Sequence, residues 1–267
     1  NSLGGIAAQT LFLVLADLLY RKANLEFAAA SVENLMMAVQ LMLLLCILLI
    51  AFNLPGITFF AVHPVSFALL LVYLFTVKLL FDAHEKPMWL PRVTQDTVRQ
   101  TSRDAYKRPA GQTNLRLGVG FATCAWAVGM GGWMIASSGV AIVEQTGWSA
   151  GIVGGIFIAV ATSLPELVVA VTAIRVGALT LAVGDIVGGN AFDTLFIAVS
   201  DFFYREGSIY AAVTSTERIW LATAMLMNCV LLMGWMYRQR KGIANIGLES
   251  VMMLAIYLGT VTYLYVQ

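Results

Sequence analysis

The 267-residue sequence is poor in charge, and this shortage decides its class. Only 12% of the residues are charged while 60% are hydrophobic, and the mean hydropathy is +0.82. A soluble domain carries about 25% charged residues, so the composition excludes an ordinary soluble protein and indicates a membrane protein. The net charge is only +1, whereas a nucleic-acid-binding domain is usually strongly basic.

Cysteine and histidine are also scarce. Cys46, Cys124 and Cys229 each lie inside an apolar run, which argues against a disulfide framework and against a thiolate metal site. The two histidines, His63 and His84, are too far apart in sequence to suggest a histidine metal site. No serine, histidine and aspartate arrangement places a nucleophile beside a base. We therefore expect no enzyme activity and no cofactor.

Long apolar runs are abundant instead. With about 20 residues for one bilayer crossing, the sequence predicts an all-α, multi-pass integral membrane protein with eight spans. The predicted spans are residues 3–20, 28–52, 56–81, 115–137, 149–174, 179–203, 217–237 and 244–266.

A polar stretch from residue 83 to residue 114 separates the first three spans from the last five. Because basic loops collect on the cytoplasmic side, we place this stretch inside and let the chain alternate sides. Of the 16 basic residues, only Arg205 and Arg218 then lie outside, which supports the number of spans. We interpret the stretch as a solvated connector that touches anionic headgroups rather than as a nucleic-acid site.

An internal repeat appears when the sequence is shifted by 184 positions. The match is ungapped, and its two copies lie on opposite sides in the predicted topology, because Arg21 is inside and Arg205 is outside. This predicts an inverted repeat, the arrangement of many secondary transporters. The identical pairs are Gly4/Gly188, Gly5/Gly189, Ala7/Ala191, Thr10/Thr194, Leu11/Leu195, Phe12/Phe196, Asp17/Asp201, Tyr20/Tyr204, Arg21/Arg205, Ser31/Ser215 and Glu33/Glu217.

The second copy is preceded by two spans that the first copy lacks. A symmetric protein would therefore have ten helices in two five-helix repeats, and we expect this chain to lack the first two. In that scheme residues 1–82 are the remainder of the first repeat, residues 83–114 are the cytoplasmic loop, and residues 115–267 are the second repeat.

Two carboxylates, Glu166 and Asp193, stand near the middle of consecutive predicted spans. Each costs about 2.5–3.5 kcal/mol at a helix centre, so each is expected to face an ion, water or a partner. The alternative without a ligand is a hydrogen bond between the two. Pro165 cannot donate to the carbonyl of Ala161, which frees a backbone oxygen one turn before Glu166.

Neutral oxygens accompany both carboxylates. Thr162 and Ser163 share the helix face of Glu166, and Asn190 lies three residues before Asp193. The pair Gly188 and Gly189 allows the backbone to approach closely or to unwind. An all-oxygen set with anionic members suits a hard cation, and Ca²⁺ better than Mg²⁺.

The run Ala161–Leu167, followed by Gly188–Asp193, resembles the second alpha repeat of the sodium/calcium exchanger family, within the wider calcium/cation antiporters. The step of 27 residues from Glu166 to Asp193 also agrees with that family. The resemblance implies ten helices, inverted repeats and Na⁺-driven Ca²⁺ exchange at a central site.

The resemblance also implies the ligands. Glu166 would bind Ca²⁺ through its carboxylate and Thr162 through its carbonyl, Ala159 and Ser163 would supply oxygens to Na⁺, and Asp193 and Asn190 would complete the polar centre.

The chain departs from the family pattern at two places. Gly189 stands where the family usually has serine, and Gln9 stands in the first copy at the position of Asp193. Asp193 also occurs in potassium-dependent relatives, which admits K⁺ as a co-transported ion. Two further hypotheses remain open: Ca²⁺/H⁺ exchange at the same carboxylates, and a non-transporting membrane subunit or sensor. The sequence leaves the oligomeric state open.

Overall fold

A computed structural model of the protein describes residues 2–20, 22–60, 62–87, 90–92, 114–240, 242 and 246–266. Most of the predicted cytoplasmic loop, together with the basic residues Arg21 and Lys241, lies outside the described residues. The helices are α1 (Ser2–Leu19), α2 (Leu25–Ala28), α3 (Val32–Ala51), α4 (Pro64–Glu85), α5 (Asn114–Thr146), α6 (Ala150–Ile152), a π-helical segment (Val153–Ile158), α7 (Ala159–Thr162), α8 (Leu164–Arg175), α9 (Leu179–Phe203), α10 (Ser215–Tyr237) and α11 (Leu248–Val266).

Eight of these helical stretches are long and apolar enough to cross a bilayer. The all-α, multi-pass prediction is therefore confirmed. The fifth stretch, Ala150–Arg175, counts as one span although it contains several helical segments. The other seven are α1, α3, α4, α5, α9, α10 and α11.

Several predicted boundaries were wrong, and at three of them a local signal outweighs hydropathy. α3 starts at Val32 rather than at 28, since the hydroxyl of Ser31 accepts a hydrogen bond from the Asn34 N–H and caps the helix. The third span starts at Pro64 rather than at 56, where proline occupies the first helical turn. α5 continues to Thr146 rather than 137 and ends before Gly147, which has a left-handed φ of 71°.

α1 lies in the centre of the bundle. It contacts α8, α9, α10 and α11, and 72% of its most apolar window is buried, compared with 6% for α5. Small residues allow this central position: a Cβ added to Gly4 would collide with the backbone of Gly155 in the π-helical segment. The first and the fifth spans therefore cross with their backbones in direct contact.

The apolar side chains that remain exposed are spread over the outer helices, with Phe121 at 76%, Trp126 at 69% and Val128 at 74%. Hydrocarbon chains of lipid are the natural solvent for such a surface. Among the buried polar side chains, Gln9 and Asn190 lie midway along α1 and α9, and Asp17 and Asp201 lie near the C-terminal ends of the same helices.

Candidate ion-binding site

The fifth span is interrupted where the sequence predicts it. α7 ends at Thr162, Ser163 leaves helical geometry with φ −95° and ψ 0°, and α8 begins at Leu164 with Pro165 in its first turn. The backbone bonds across the break run from the Ser163 N–H to Ala159 and Val160, and from the Leu167 N–H to Ser163.

Because Pro165 has no N–H, the carbonyl of Ala161 loses its usual helical donor at the break. The π-helical segment that precedes the break is itself a feature common at functional sites. Non-helical backbone at membrane depth is tolerated where it lines a cavity or is buried in protein.

Glu166 sits in the first turn of α8, directly after the break. It is half-buried, and its buried Oε2 has no hydrogen-bond partner among the described residues. Asp193 is also half-buried on α9 and lies close enough to Glu166 for their charges to interact. The structure therefore brings the two predicted carboxylates together.

The remaining partner of Asp193 comes from α1. Gln9 donates a hydrogen bond from Nε2 to Asp193 Oδ2 at 2.9 Å, and the two residues are repeat mates separated by 184 positions. Near this contact, Asn190 donates from Nδ2 to Thr10 Oγ1 at 2.9 Å. α1 and α9 thus meet through polar side chains where the repeat copies coincide.

Several oxygens around this meeting point are buried without a hydrogen-bond partner among the described residues. Ser163 is 1% exposed and faces α1, since a Cβ on Gly5 would lie 3.9 Å from its Oγ. An oxygen that gives up water without gaining a donor is costly, whereas a cation satisfies it. These oxygens are Gln9 Oε1, Ser163 Oγ, Glu166 Oε2 and Asn190 Oδ1.

Two predicted ligands are engaged within the helix. The hydroxyl of Thr162 donates to the carbonyl of Ile158 at 2.9 Å. The carbonyl of Ala159 accepts from the Ser163 N–H at 3.2 Å and also lies 3.2 Å from the Thr162 hydroxyl. Both lone pairs of the Ala159 carbonyl therefore have a donor within hydrogen-bond distance.

Sequence reasoning did not single out Thr10. Its hydroxyl accepts from Asn190 and donates to the Ile6 carbonyl at 2.7 Å, so it fixes the Asn190 amide. The signal was present, because Thr10 and Thr194 are an identical pair of the repeat. It was overlooked because threonine within an apolar span carries no charge that would mark it.

The contacts at the far ends of α1 and α9 follow the same repeat. Asp17 accepts hydrogen bonds from the Leu25 and Gly247 N–H groups and from the Ser250 hydroxyl, at 2.8–3.0 Å. These three bonds satisfy Asp17, which agrees with a structural role for it.

Asp201 accepts an equivalent set of hydrogen bonds. Its donors are the Ile209 and His63 N–H groups and the Ser66 hydroxyl, at 2.7–3.1 Å. Every residue of this set corresponds to one of the Asp17 set through a shift of 184. The 184-residue register is thus present in the contacts as well as in the sequence.

A cavity of about 270 Å³ opens beside the broken span. Its wall contains Gly4 and Gly155, the pair at which α1 crosses the π-helical segment, and polar groups from Ser2, Ser200 and Glu217. Among the residues that the structure describes, no three histidine, cysteine, aspartate or glutamate side chains are arranged to hold a metal. The candidate site therefore combines two carboxylates with neutral oxygens.

Comparison with known proteins identifies the family of the chain. The family model described as sodium/calcium exchanger protein matches residues 116–266. A relative described as sodium/calcium exchanger MaX1, from Methanosarcina acetivorans, is 29% identical over 139 residues, which cover 49% of this chain and 39% of that protein. No solved structure matches the chain. The family match covers more than half of the sequence and includes both Glu166 in the broken span and Asp193 on α9. The chain therefore belongs to the sodium/calcium exchanger family.

Proposed function

We propose that the protein exchanges Na⁺ for Ca²⁺ across the membrane at the site between α1, α8 and α9. Membership of the family supports cation antiport, and the residues of the site support these two ions. One observation carries the proposal: near the interruption of a membrane-spanning helix, α1, α8 and α9 bury oxygens of Gln9, Glu166 and Asn190 that have no hydrogen-bond partner among the described residues. Oxygens in that condition are stabilised by a cation.

The ligands divide by charge. The carboxylates of Glu166 and Asp193 attract a divalent ion most strongly, and Ca²⁺ accepts six to eight oxygens in irregular geometry. Neutral oxygens from Ser163 and Asn190 suit Na⁺, while the Thr162 carbonyl would be a further Ca²⁺ ligand. Because both ions need oxygens at the same break, binding of one opposes binding of the other, and this competition couples their movements.

Gln9 replaces the carboxylate that symmetry would place opposite Asp193. It donates one hydrogen bond to Asp193 and leaves its Oε1 available. Asp193 is thereby held by a neutral group, which leaves Glu166 as the main anionic ligand in this chain. We therefore assign the larger share of Ca²⁺ binding to Glu166.

Alternating access follows from the repeat. We propose that residues 1–82 and residues 115–267 belong to two inverted repeats joined by a cytoplasmic loop over residues 83–114. The cavity beside Gly155 and Glu217 is then the approach to the site from the outer side. Movement of one repeat against the other would close this approach and open one from the inside.

The driving ion is tested with purified protein in proteoliposomes. Ca²⁺ uptake is measured under an outward Na⁺ gradient, under a pH gradient without Na⁺, and with neither gradient. Uptake that requires the Na⁺ gradient supports the proposal. Uptake driven by the pH gradient alone would establish Ca²⁺/H⁺ exchange, and Ca²⁺ binding without flux under any gradient would establish a non-transporting subunit or sensor.

A further inference from the structure

A second group of carboxylates lies at the end of α1 that is away from the candidate ion site. Glu26 on α2 is 1% exposed, Asp17 on α1 is 1% exposed and Glu249 in the first turn of α11 is 5% exposed. Glu26 and Glu249 lie outside every part of the exchange site proposed above. Three buried carboxyl groups at one place require neutralisation.

Asp17 does not need the others. Both of its oxygens accept hydrogen bonds, from two N–H groups and one hydroxyl, which stabilises it as an anion. Glu26 is different, since neither of its carboxyl oxygens has a hydrogen-bond partner among the described residues. It is a fully buried acid that receives no donor.

Glu249 lies close to Glu26, since the charges of Glu249 and Asp17 both act on Glu26. Glu249 also packs against α10 and Gly247: a Cβ on Gly234 would lie 2.8 Å from the Glu249 Cγ, and the Gly247 N–H binds Asp17. One oxygen of Glu249, Oε1, has no hydrogen-bond partner in the described part of the chain. Within that part of the chain, a buried acid without a donor therefore lies near a carboxylate with one unpaired oxygen.

The other copy of the repeat shows which hydrogen-bonding group can occupy the position of Glu26. Tyr210 occupies the position of Glu26 in the copy around Asp201. Because the hydroxyl hydrogen of Ser66 goes to Asp201, the Tyr210 hydroxyl donates to Ser66, at 2.8 Å. Burial raises the pKa of Tyr210, so this partner is neutral and keeps its proton.

Val65 occupies the position of Glu249 in that copy. The copy around Asp201 therefore has one carboxylate and a neutral hydroxyl donor, where the copy around Asp17 has three carboxyl groups. A protonated Glu26 would reproduce the chemistry of Tyr210, since it is neutral and donates one hydrogen bond.

We infer that Glu26 is a proton-binding site, in which the bound proton is donated as a hydrogen bond to the Glu249 carboxylate and locks α2 to the start of α11. A proton fits better than a metal ion. The oxygens of Asp17 are occupied by donors, and among the described residues these carboxyl groups do not form a metal-holding cluster.

The groups around Glu26 come from four helices. α1 brings Asp17 and α11 brings Glu249. α10 is followed by Arg238, whose Nη2 donates to the α2 backbone at 3.0 Å. α9 also contacts α2, and its titratable residue nearest to this end is Asp185. Burial raises the pKa of Glu26 well above its usual value, and the charges of Asp17 and Glu249 raise it further.

This assignment makes stability depend on pH in a defined direction. In the folded protein Glu26 keeps its proton above the pH at which an unfolded glutamate loses it. Stability is therefore complete below the ordinary glutamate pKa and falls as the pH rises towards the raised pKa of Glu26. Above the raised pKa this contribution no longer changes with pH.

The test measures thermal unfolding of the full chain as a function of pH for wild type, Glu26→Gln and Glu85→Gln. Glu85 is an exposed carboxylate near the same side, so it controls for removal of one charge. The glutamine at 26 is a permanently neutral donor. It should abolish the fall in unfolding temperature with rising pH, while Glu85→Gln retains it. An unchanged pH profile in Glu26→Gln overturns the assignment.

Infrared difference spectra provide a second readout that needs no variant at Glu26. Wild type should show the carbonyl stretch of a protonated acid that titrates as the pH rises. Glu249→Gln removes the neighbouring negative charge and should move that titration to lower pH. Absence of a titrating acid band overturns the inference. If the band disappears on addition of Ca²⁺ or Na⁺ at constant pH, Glu26 binds a metal cation rather than a proton, and the inference is overturned.

Discussion

At the scale of single residues, Asn190 shows how packing and ion binding share one side chain. Its Nδ2 donates to Thr10 and joins α9 to α1, while its Oδ1 is buried with no donor in the described part of the chain. The amide nitrogen thus serves the fold and the amide oxygen is left for a ligand. The two roles can be separated because the partner of the nitrogen can be removed alone.

We expect Asn190→Ala to weaken ion binding far more than Thr10→Val. The alanine removes both the packing bond and the ligand oxygen, whereas the valine keeps the shape of Thr10 and removes only the bond. Half-saturation for Ca²⁺ or Na⁺ should rise about tenfold in Asn190→Ala, equivalent to about 1.4 kcal/mol. Flux measured over a range of each ion tests this. Equal effects of the two substitutions would mean that Asn190 only packs.

At the scale of helices, the crossing of α1 over the π-helical segment positions the site. Gly4 meets the backbone of Gly155, and a Cβ on Gly155 would collide with the Trp220 indole. α1, the broken span and α10 are therefore stacked with no space for a methyl group. This places Gln9 and Ser163 at their observed depths.

Gly4→Ala should destabilise the protein, because the added methyl group would force α1 away from the broken span. Such overpacking costs about 1–3 kcal/mol, which corresponds to a fall of roughly 2–12 °C in unfolding temperature for a chain of this size. Gly129→Ala is the control, since nothing lies within 4 Å of its added Cβ. Thermal unfolding in detergent measures both. An equal unfolding temperature for the two variants would contradict the close crossing.

The helices could be predicted from the sequence where hydropathy or a proline alone determines them. Hydropathy indicated all eight spans, and Pro165 indicated the interruption beside Glu166. The π-helical segment could not be predicted, because it depends on the contact of Gly155 with Gly4 and Trp220. The start of the third span was wrong for a similar reason, since residues between 52 and 63 are apolar while His63 and Pro64 begin the helix.

At the scale of the whole molecule, the 184-residue repeat was the most informative part of the sequence. It predicted that Asp17 and Asp201 are equivalent, and their matching donor sets show the same correspondence in three dimensions. It could not predict the pairing of Gln9 with Asp193, because a contact between repeat mates depends on how closely α1 and α9 approach. Burial of Glu26 and Glu249 could not be predicted either, since Glu26 lies between two spans and Glu249 at the start of one, where charge is ordinary.

The repeat also explains why the two ends of the bundle differ. Where the copy around Asp201 holds a tyrosine and a valine, the copy around Asp17 holds two additional acids. The candidate ion site also differs between the two copies, because Gln9 in the first copy stands at the position of Asp193 in the second and binds it. An inverted pair that began with equal halves would thus have different chemistry at each face of the membrane.

The most direct measurement is Na⁺-gradient-driven Ca²⁺ uptake by Glu166→Gln in proteoliposomes, compared with Glu144→Gln. The second variant removes a carboxylate of the same type from the exposed end of α5, so it controls for charge and reconstitution. If Glu166 binds the transported ion, uptake is lost in Glu166→Gln, by at least about tenfold, and persists in Glu144→Gln. Uptake by Glu166→Gln at the rate of wild type would contradict the account.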